Sequence, residues 1–243
     1  MTSNNKKTDR MLAMPGNSQT HPVPDPAEER RFDTFVFDLD GTLLDTLPDL
    51  VELTNTALRE SGFPERTAAE IRSFVGNGAR ALMRQAVPPE VGEQATDAAM
   101  ERWMKLFPTV GNNLAEVYPG IEETLRELKA RGMRLGVLSN KFEAGVKEVI
   151  ATHLPDLFSV MHGECDEIPR KPDPAGLLQT IRELGSHPAR TVYIGDSTGD
   201  VAVSRNADVF SVAVTWGYHD VDRLRNARPD LLIDHPSHLL KLT

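Results

Sequence analysis

In the stretch TFVFDLDGTLLDT, residues 34–46, an apolar run ends in two acids, Asp38 and Asp40, and turns at Gly41. In an extended segment residues i and i+2 share a face, so the two carboxylates project together while Leu39 points the other way. A turn aspartate beside a glycine accounts for one acid, but not for two like charges directly after Phe-Val-Phe. Their repulsion needs a counter-charge. A second β-rich run, MRLGVLS at 133–139, ends in Ser139 and Asn140, with Lys141 next. A third, RTVYIG at 190–195, ends in Gly195 and Asp196, with Asp200 four residues on, and Lys171 stands between these two runs in RKPDP. Three or four carboxylates would repel a phosphate unless a divalent cation reversed the local sign, and Mg2+ prefers such hard oxygens. Asp38, Asp196 and a main-chain carbonyl would make a sparse Mg2+ site with room for water and a phosphate oxygen. A plainer role for Asp200 is to cap a helix opening at 199, and Asn140 and Gly41 also serve as turn residues.

The elements that must position these groups alternate. Strands are predicted at 34–39, 133–139, 157–162, 190–195, 209–214 and 230–234, and helices at 120–131, 143–153, 174–185 and 199–206. Such alternation predicts an α/β fold, a doubly wound parallel sheet wrapped by helices. Ligands bind beyond the carboxyl ends of the strands in these sheets, which would gather the polar groups at one edge, within reach of the Lys171 loop. In the helix at 120–131, Ile121, Leu125 and Leu128 form an apolar stripe, Glu122 and Glu123 favour the N-terminus, and Gly132 follows as a C-terminal cap. Residues 47–117 break the alternation, with no convincing strand but helical stretches at 47–61, 67–75, 78–86 and 89–107. They read as an all-helical insert after the first strand, with 32–46 and 118–243 forming the main domain. Within the insert, FVGNGARALM at 74–83 places Gly76, Asn77 and Gly78 beside Arg80. That turn either exposes N–H groups to a small anion at a helix start or simply joins two helices.

Composition bounds the partners. The 243 residues can bury a sizeable core, and 27 Lys plus Arg against 36 Asp plus Glu give a net charge of -9, which argues against nucleic-acid affinity. The single cysteine, Cys165, cannot form an internal disulfide, so a cytoplasmic location is expected. No run approaches the roughly 20 apolar residues of a membrane span. Residues 1–31, polar and Pro-rich, read as a disordered tail, and the seven histidines as structural or surface residues. Monomer and homodimer both stay open.

DLDGT at 38–42, LSN at 138–140, Lys171 and GDSTGD at 195–200 together resemble the haloacid-dehalogenase (HAD) superfamily phosphatases, whose core is Rossmann-like. The resemblance implies that Asp38 is a nucleophile forming an aspartyl-phosphate and that Asp40 is a general acid and base. It also implies that Ser139 and Lys171 hold the phosphoryl group, and that Mg2+ is bound by Asp38, the Asp40 carbonyl, Asp196 and, directly or through water, Asp200. The insert corresponds to a helical cap that closes over the substrate. DGTLLDTLPDL, FVGNGA, YPG, LSNK and KPDP are similar to the phosphoglycolate phosphatase branch. That likeness implies 2-phosphoglycolate as the small phosphorylated substrate. Thr42, Asn140, Lys141, Gly76, Asn77, Gly78 and Arg80 then become substrate-binding positions, with Lys141 and Arg80 facing the substrate carboxylate. Related caps serve pyrophosphate and other small phosphomonoesters. A sugar phosphomutase would carry a His about a turn into the first cap helix, where Pro48, Asp49, Leu50 and Val51 stand. A phosphonate hydrolase would want a lysine in that helix, and the insert's only lysine is Lys105. A non-catalytic phosphate-binding module should lack Asp38 or Asp40, and both are present.

Overall fold

The computed structural model describes Met1 and residues 32–243, so the expected disordered tail lies outside the described residues. The strands are β1 (Thr34–Phe37), β2 (Leu44–Asp45), β3 (Glu116–Val117), β4 (Arg134–Phe142), β5 (Val160–Glu164), β6 (Thr191–Gly195), β7 (Phe210–Val214) and β8 (Leu231–Ile233). The helices are α1 (Leu47–Glu60), α2 (Ala68–Phe74), α3 (Ala79–Ala86), α4 (Gly92–Val110), α5 (Ile121–Ala130), α6 (Glu143–His153), α7 (Ala175–Glu183), α8 (Thr198–Asn206) and α9 (Val221–Ala227).

Six strands form one sheet in the order β5-β4-β1-β6-β7-β8, parallel throughout. This is the expected doubly wound α/β fold. The chain steps outward from β1 through β4 to β5, then returns to β6 on the other side of β1, so strand order reverses at β1 and a crevice opens there. Both faces of β1 are buried. Phe35 and Phe37 pack toward Ile121, Leu125 and Val146, while Val36 packs with Tyr193, Leu177 and Val203 on the opposite face. Burial on both sides explains why this strand reads as a continuous apolar run.

Four helices, α1 to α4, fill residues 47–110 as the pattern predicts. Thr67 and Glu70 form a reciprocal capping box that starts α2. Trp103 of α4 is buried against α1, its indole N–H donating to Thr54 at 3.2 Å. The expected helix start at 89 is a single 3-10 turn, Pro89–Val91, and α4 begins only at Gly92, whose φ of 73° breaks the continuity.

Other differences come from short or irregular pieces. β2 and β3 pair antiparallel, with Leu44 opposite Val117 and Asp45 opposite Glu116, where the sequence gives no strand signal. β5 begins at 160 rather than 157, and β4 runs on to Phe142. Helix α9, capped by the Asp220 carboxylate accepting from Asp222 N–H, and the 3-10 segment Pro236–Leu242 also lie outside the predicted elements.

Candidate active site

Strand register decides how the chemical groups line up. Phe37 pairs with Val137 on one side and Ile194 on the other, so Asp38, Leu138 and Gly195 are the next residues out on three adjacent strands. The Asp38 N–H holds this alignment by donating to Ile194 O at 2.8 Å. Ser139 and Asp196 follow one residue further. Between Leu138 and Phe142 the pairing of β4 with β5 shifts register. Ser139, Asn140 and Lys141 occupy that irregular stretch, and such breaks re-aim side chains out of the normal alternation.

Asp38, Asp196 and Asp200 are buried and offer carboxylate oxygens that all lie within 4.8 Å of one another. Lys171 Nζ sits among them, 2.9 Å from Asp38 Oδ1 and 2.7 Å from Asp200 Oδ1, and 3.0 Å from the Tyr193 hydroxyl. Burial pushes the Asp38 carboxyl up to about 6, against the pull of Lys171. Burial, with Asp200 and Asp38 adding their charge, pushes Asp196 up to about 8. Burial alone would lower the Lys171 ammonium, but Asp200 and Asp38 outweigh it and hold the group well above the usual lysine value. Three carboxylates facing one ammonium leave two negative charges uncompensated when all are ionised, the charge one divalent cation carries. The donor set is hard oxygen, as Mg2+ requires. Gly41 and Gly217 pack directly on Asp196, where a Cβ at either position would run into its side chain. The residues present therefore fit a Mg2+ ion.

Asp38 receives Leu39 N–H at 2.8 Å and Lys171 Nζ at Oδ1, so Oδ2 carries neither contact. Asp40 keeps its carboxylate out of the acidic cluster: Thr46 Oγ1 donates to its Oδ1 at 2.6 Å and Lys141 Nζ approaches the same atom at 3.1 Å. Both contacts fall on Oδ1, and the carboxylate stands apart from the Asp38, Asp196 and Asp200 group. Asp200 is the helix cap weighed for it, and it also pairs with Lys171. Its Oδ2 accepts from Ser197 N–H at 2.9 Å in a capping box that starts α8, while its Oδ1 meets Lys171. Asn140 ties three segments together, donating to Gly76 O at 2.8 Å and accepting from Lys171 N–H at 2.8 Å.

These groups line a cavity of about 630 Å³, including its open mouth, between the strand ends and the helical segment. Asp38, Asp40, Ser139, Asn140, Lys141, Lys171 and Asp196 form its polar side, and Gly76 and Gly78 reach it from the insert. Thr42 does not line it; fully buried, it donates to Asp196 Oδ1 at 3.3 Å. Asn77 lies outside this cavity, with its carbonyl taken by Arg170 Nη1 at 2.6 Å. Arg80 is not brought to the site either. It is exposed and pairs with Asp97 at 2.7 Å, because position 80 falls on the solvent side of α3. The insert's lining side chains are Leu50, Val75, Ala79, Leu82 and Trp103, none of them charged.

Three participants escape the sequence reading. Tyr218 N–H donates to Asp196 Oδ2 at 2.7 Å, and its hydroxyl accepts from Thr46 N–H at 2.8 Å and donates to Asp45 Oδ1 at 3.0 Å. Thr46 is the second, through Asp40. The third is His219, which lines the cavity, so the histidines are not all remote from the site. Burial, helped by Arg223, pushes its imidazole below the usual value, which favours the neutral ring. The signal for Tyr218 and His219 was their place just past β7, a fourth strand end at the same sheet edge.

The sequence profile of haloacid dehalogenase-like hydrolases matches residues 35–214. The chain belongs to this family. Among curated HAD relatives, "Phosphoglycolate phosphatase 1" of Pseudomonas aeruginosa is 35% identical over 212 residues, covering 84% of this chain and 77% of that protein. "Phosphoglycolate phosphatase" of Vibrio cholerae is 33% identical over 214 residues, covering 85% of this chain and 94% of the other. Among solved HAD structures, a Haemophilus somnus protein described as a predicted phosphoglycolate phosphatase superposes with a TM-score of 0.82 at 30% identity, covering 87% of this chain and 98% of that one. Among the described residues no helix is long and apolar enough to cross a membrane.

Proposed function

We propose that this chain is a Mg2+-dependent phosphomonoesterase that hydrolyses 2-phosphoglycolate through an aspartyl-phosphate on Asp38, acting in the cytoplasm. The observation that carries the reading is Asp38 itself: a buried carboxylate at a strand end, lining the cavity, with one oxygen on Lys171 and the other without that contact, 2 residues from Asp40. The names of relatives at 33–35% identity support 2-phosphoglycolate as the substrate. Residues 32–46 and 118–243 act as the catalytic domain and residues 47–117 as a cap over the cavity.

In this scheme Ser139 Oγ and Lys171 Nζ hold the phosphoryl oxygens, with Lys171 kept cationic by Asp200. Asp38 Oδ2 attacks phosphorus in line as the phosphorus–oxygen bond to the leaving group breaks, and Asp40 gives that oxygen a proton. Asp40 then takes a proton from a water that attacks the same phosphorus, and the bond to Asp38 breaks as phosphate forms. Asp38, Asp196, Asp200 and the Asp40 carbonyl would hold Mg2+, which when bound stabilises the negative charge on the transferring phosphoryl group. Lys141, already beside Asp40, is the cation available to the glycolate carboxylate.

A second reading follows from the uncharged insert lining. Leu50, Val75, Leu82 and Trp103 suit a leaving group with apolar surface, which would favour another small phosphomonoester over 2-phosphoglycolate. Phosphate release from 2-phosphoglycolate, pyrophosphate, glucose 1-phosphate and pyridoxal phosphate separates the two. A preference of about 100-fold in kcat/KM for the first, about 2.7 kcal/mol, is expected, and a preference for pyridoxal phosphate would replace that substrate. Asp38→Asn is expected to cut turnover of every substrate by about 10^4-fold or more, with an unchanged circular dichroism spectrum. Wild-type turnover in that variant would end the covalent scheme.

A further inference from the structure

Arg72 lies on α2, four residues before the Gly76 turn, and its guanidinium crosses to the loop after β7. Nε and Nη2 donate to Tyr218 O at 3.0 and 2.7 Å, and Nη2 also reaches Gly217 O at 3.3 Å. Its charge lies 6.0 Å from the centre of the Tyr218 ring. A planar fork with several donors fixes a pair of neighbouring carbonyls in a way a point charge cannot. The same two residues govern Asp196: Tyr218 N–H donates to its Oδ2, and Gly217 packs so closely on it that no Cβ fits. The Tyr218 hydroxyl in turn bonds Thr46 N–H and Asp45, at the point where the chain leaves the sheet for the insert. One loop residue thus connects the acidic cluster, the root of the insert and a helix within it.

We infer that Arg72 is a positioning residue, holding from the insert the Gly217–Tyr218 loop that orients Asp196 toward the metal. This rests on the Mg2+-phosphatase reading but makes a separate claim, that metal affinity depends on α2 being docked. Arg72 is exposed and touches neither cavity nor carboxylate, so its loss leaves the donor set intact. Closure of the insert over a substrate and tight metal binding then become one event, since both need the same fork seated on the same carbonyls.

The test titrates Mg2+ against thermal unfolding of the full chain, without substrate, for wild type, Arg72→Ala and Arg72→Lys. An exposed charged hydrogen-bonding group is expected to give about a tenfold rise in the Mg2+ concentration at half-effect for Arg72→Ala. Arg72→Lys, which keeps the charge but not the fork, is expected to recover only part of it, and Arg84→Ala, an exposed pair with Glu93, to change nothing. In parallel, hydrogen exchange of the Tyr218 amide should speed up in Arg72→Ala with no metal present. A half-effect concentration within twofold of wild type, or unchanged Tyr218 protection, overturns the inference. Full activity of Asp38→Asn would instead strike the underlying reading, so the two failures are distinguishable.

Discussion

Each oxygen of the Asp196 carboxylate has its own partner, Thr42 Oγ1 on one side and Tyr218 N–H on the other, and Gly41 and Gly217 press close without side chains. Gly41 also holds φ at 81°, a conformation open to glycine at little cost. Gly217→Ala should therefore displace the carboxylate at an overpacking cost of about 1–3 kcal/mol, read as weakened Mg2+ binding by calorimetry and slower p-nitrophenyl phosphate turnover. Retention of wild-type Mg2+ affinity would count against Asp196 as a ligand. Asp38 and Asp196 were legible in the sequence because acids at the ends of apolar strands declare a charge problem that a cation solves, and Asp200 and Lys171 because they stand in the turn and loop beside those ends. Thr46 and Tyr218 were not, for they act through hydrogen bonds to each other and to acids that become neighbours only after folding. Arg80 failed for a related reason: sequence proximity to the glycine turn says nothing about which side of α3 it occupies.

At the scale of elements, periodicity located the sheet strands and most helices, because β1, β6 and β7 are buried runs and α5 carries a regular apolar stripe. Two-residue strands such as β2 and β3 have no period to read, and the extension of β4 is an irregularity imposed by its neighbours. Helix α9, only seven residues long, falls outside the periodic pattern, and its start is fixed by the Asp220 side chain accepting from Asp222 and Arg223 N–H. Within the insert, Trp103 joins α4 to α1, packs edge-on against Phe142 at the end of β4, and lines the cavity. Trp103→Ala is expected to cost about 3–5 kcal/mol in urea unfolding. It should also raise KM more than it lowers kcat, since in the proposed scheme the lost surface would meet the leaving group rather than the phosphoryl group. An unchanged urea midpoint would show that the insert is held elsewhere.

For the whole molecule, the acidic cluster links folding to protons and, through the proposed Mg2+ site, to metal. Asp38 and Asp196 have folded values of about 6 and about 8, above the 3.8 of an unfolded aspartate. In that window the metal-free fold binds more protons than the unfolded chain. Its contribution from these groups is present below about pH 4 and is lost as pH rises through 6 and then 8. Bound at the proposed site, Mg2+ would replace those protons, so the rise in Tm produced by saturating Mg2+ should grow from pH 5 to pH 8; a Tm rise independent of pH would contradict this coupling. The β2–β3 ribbon carries a consequence of another kind. Leu44 faces Val117 and Asp45 faces Glu116, so the polypeptide departs and re-enters through one doorway about 5 Å wide. Residues 46–115 can then be lifted out and the doorway bridged by a tight turn without re-threading any strand of the sheet. The stripped scaffold would present its acids to much bulkier phosphorylated surfaces, which makes the doorway the natural place to exchange one roof for another.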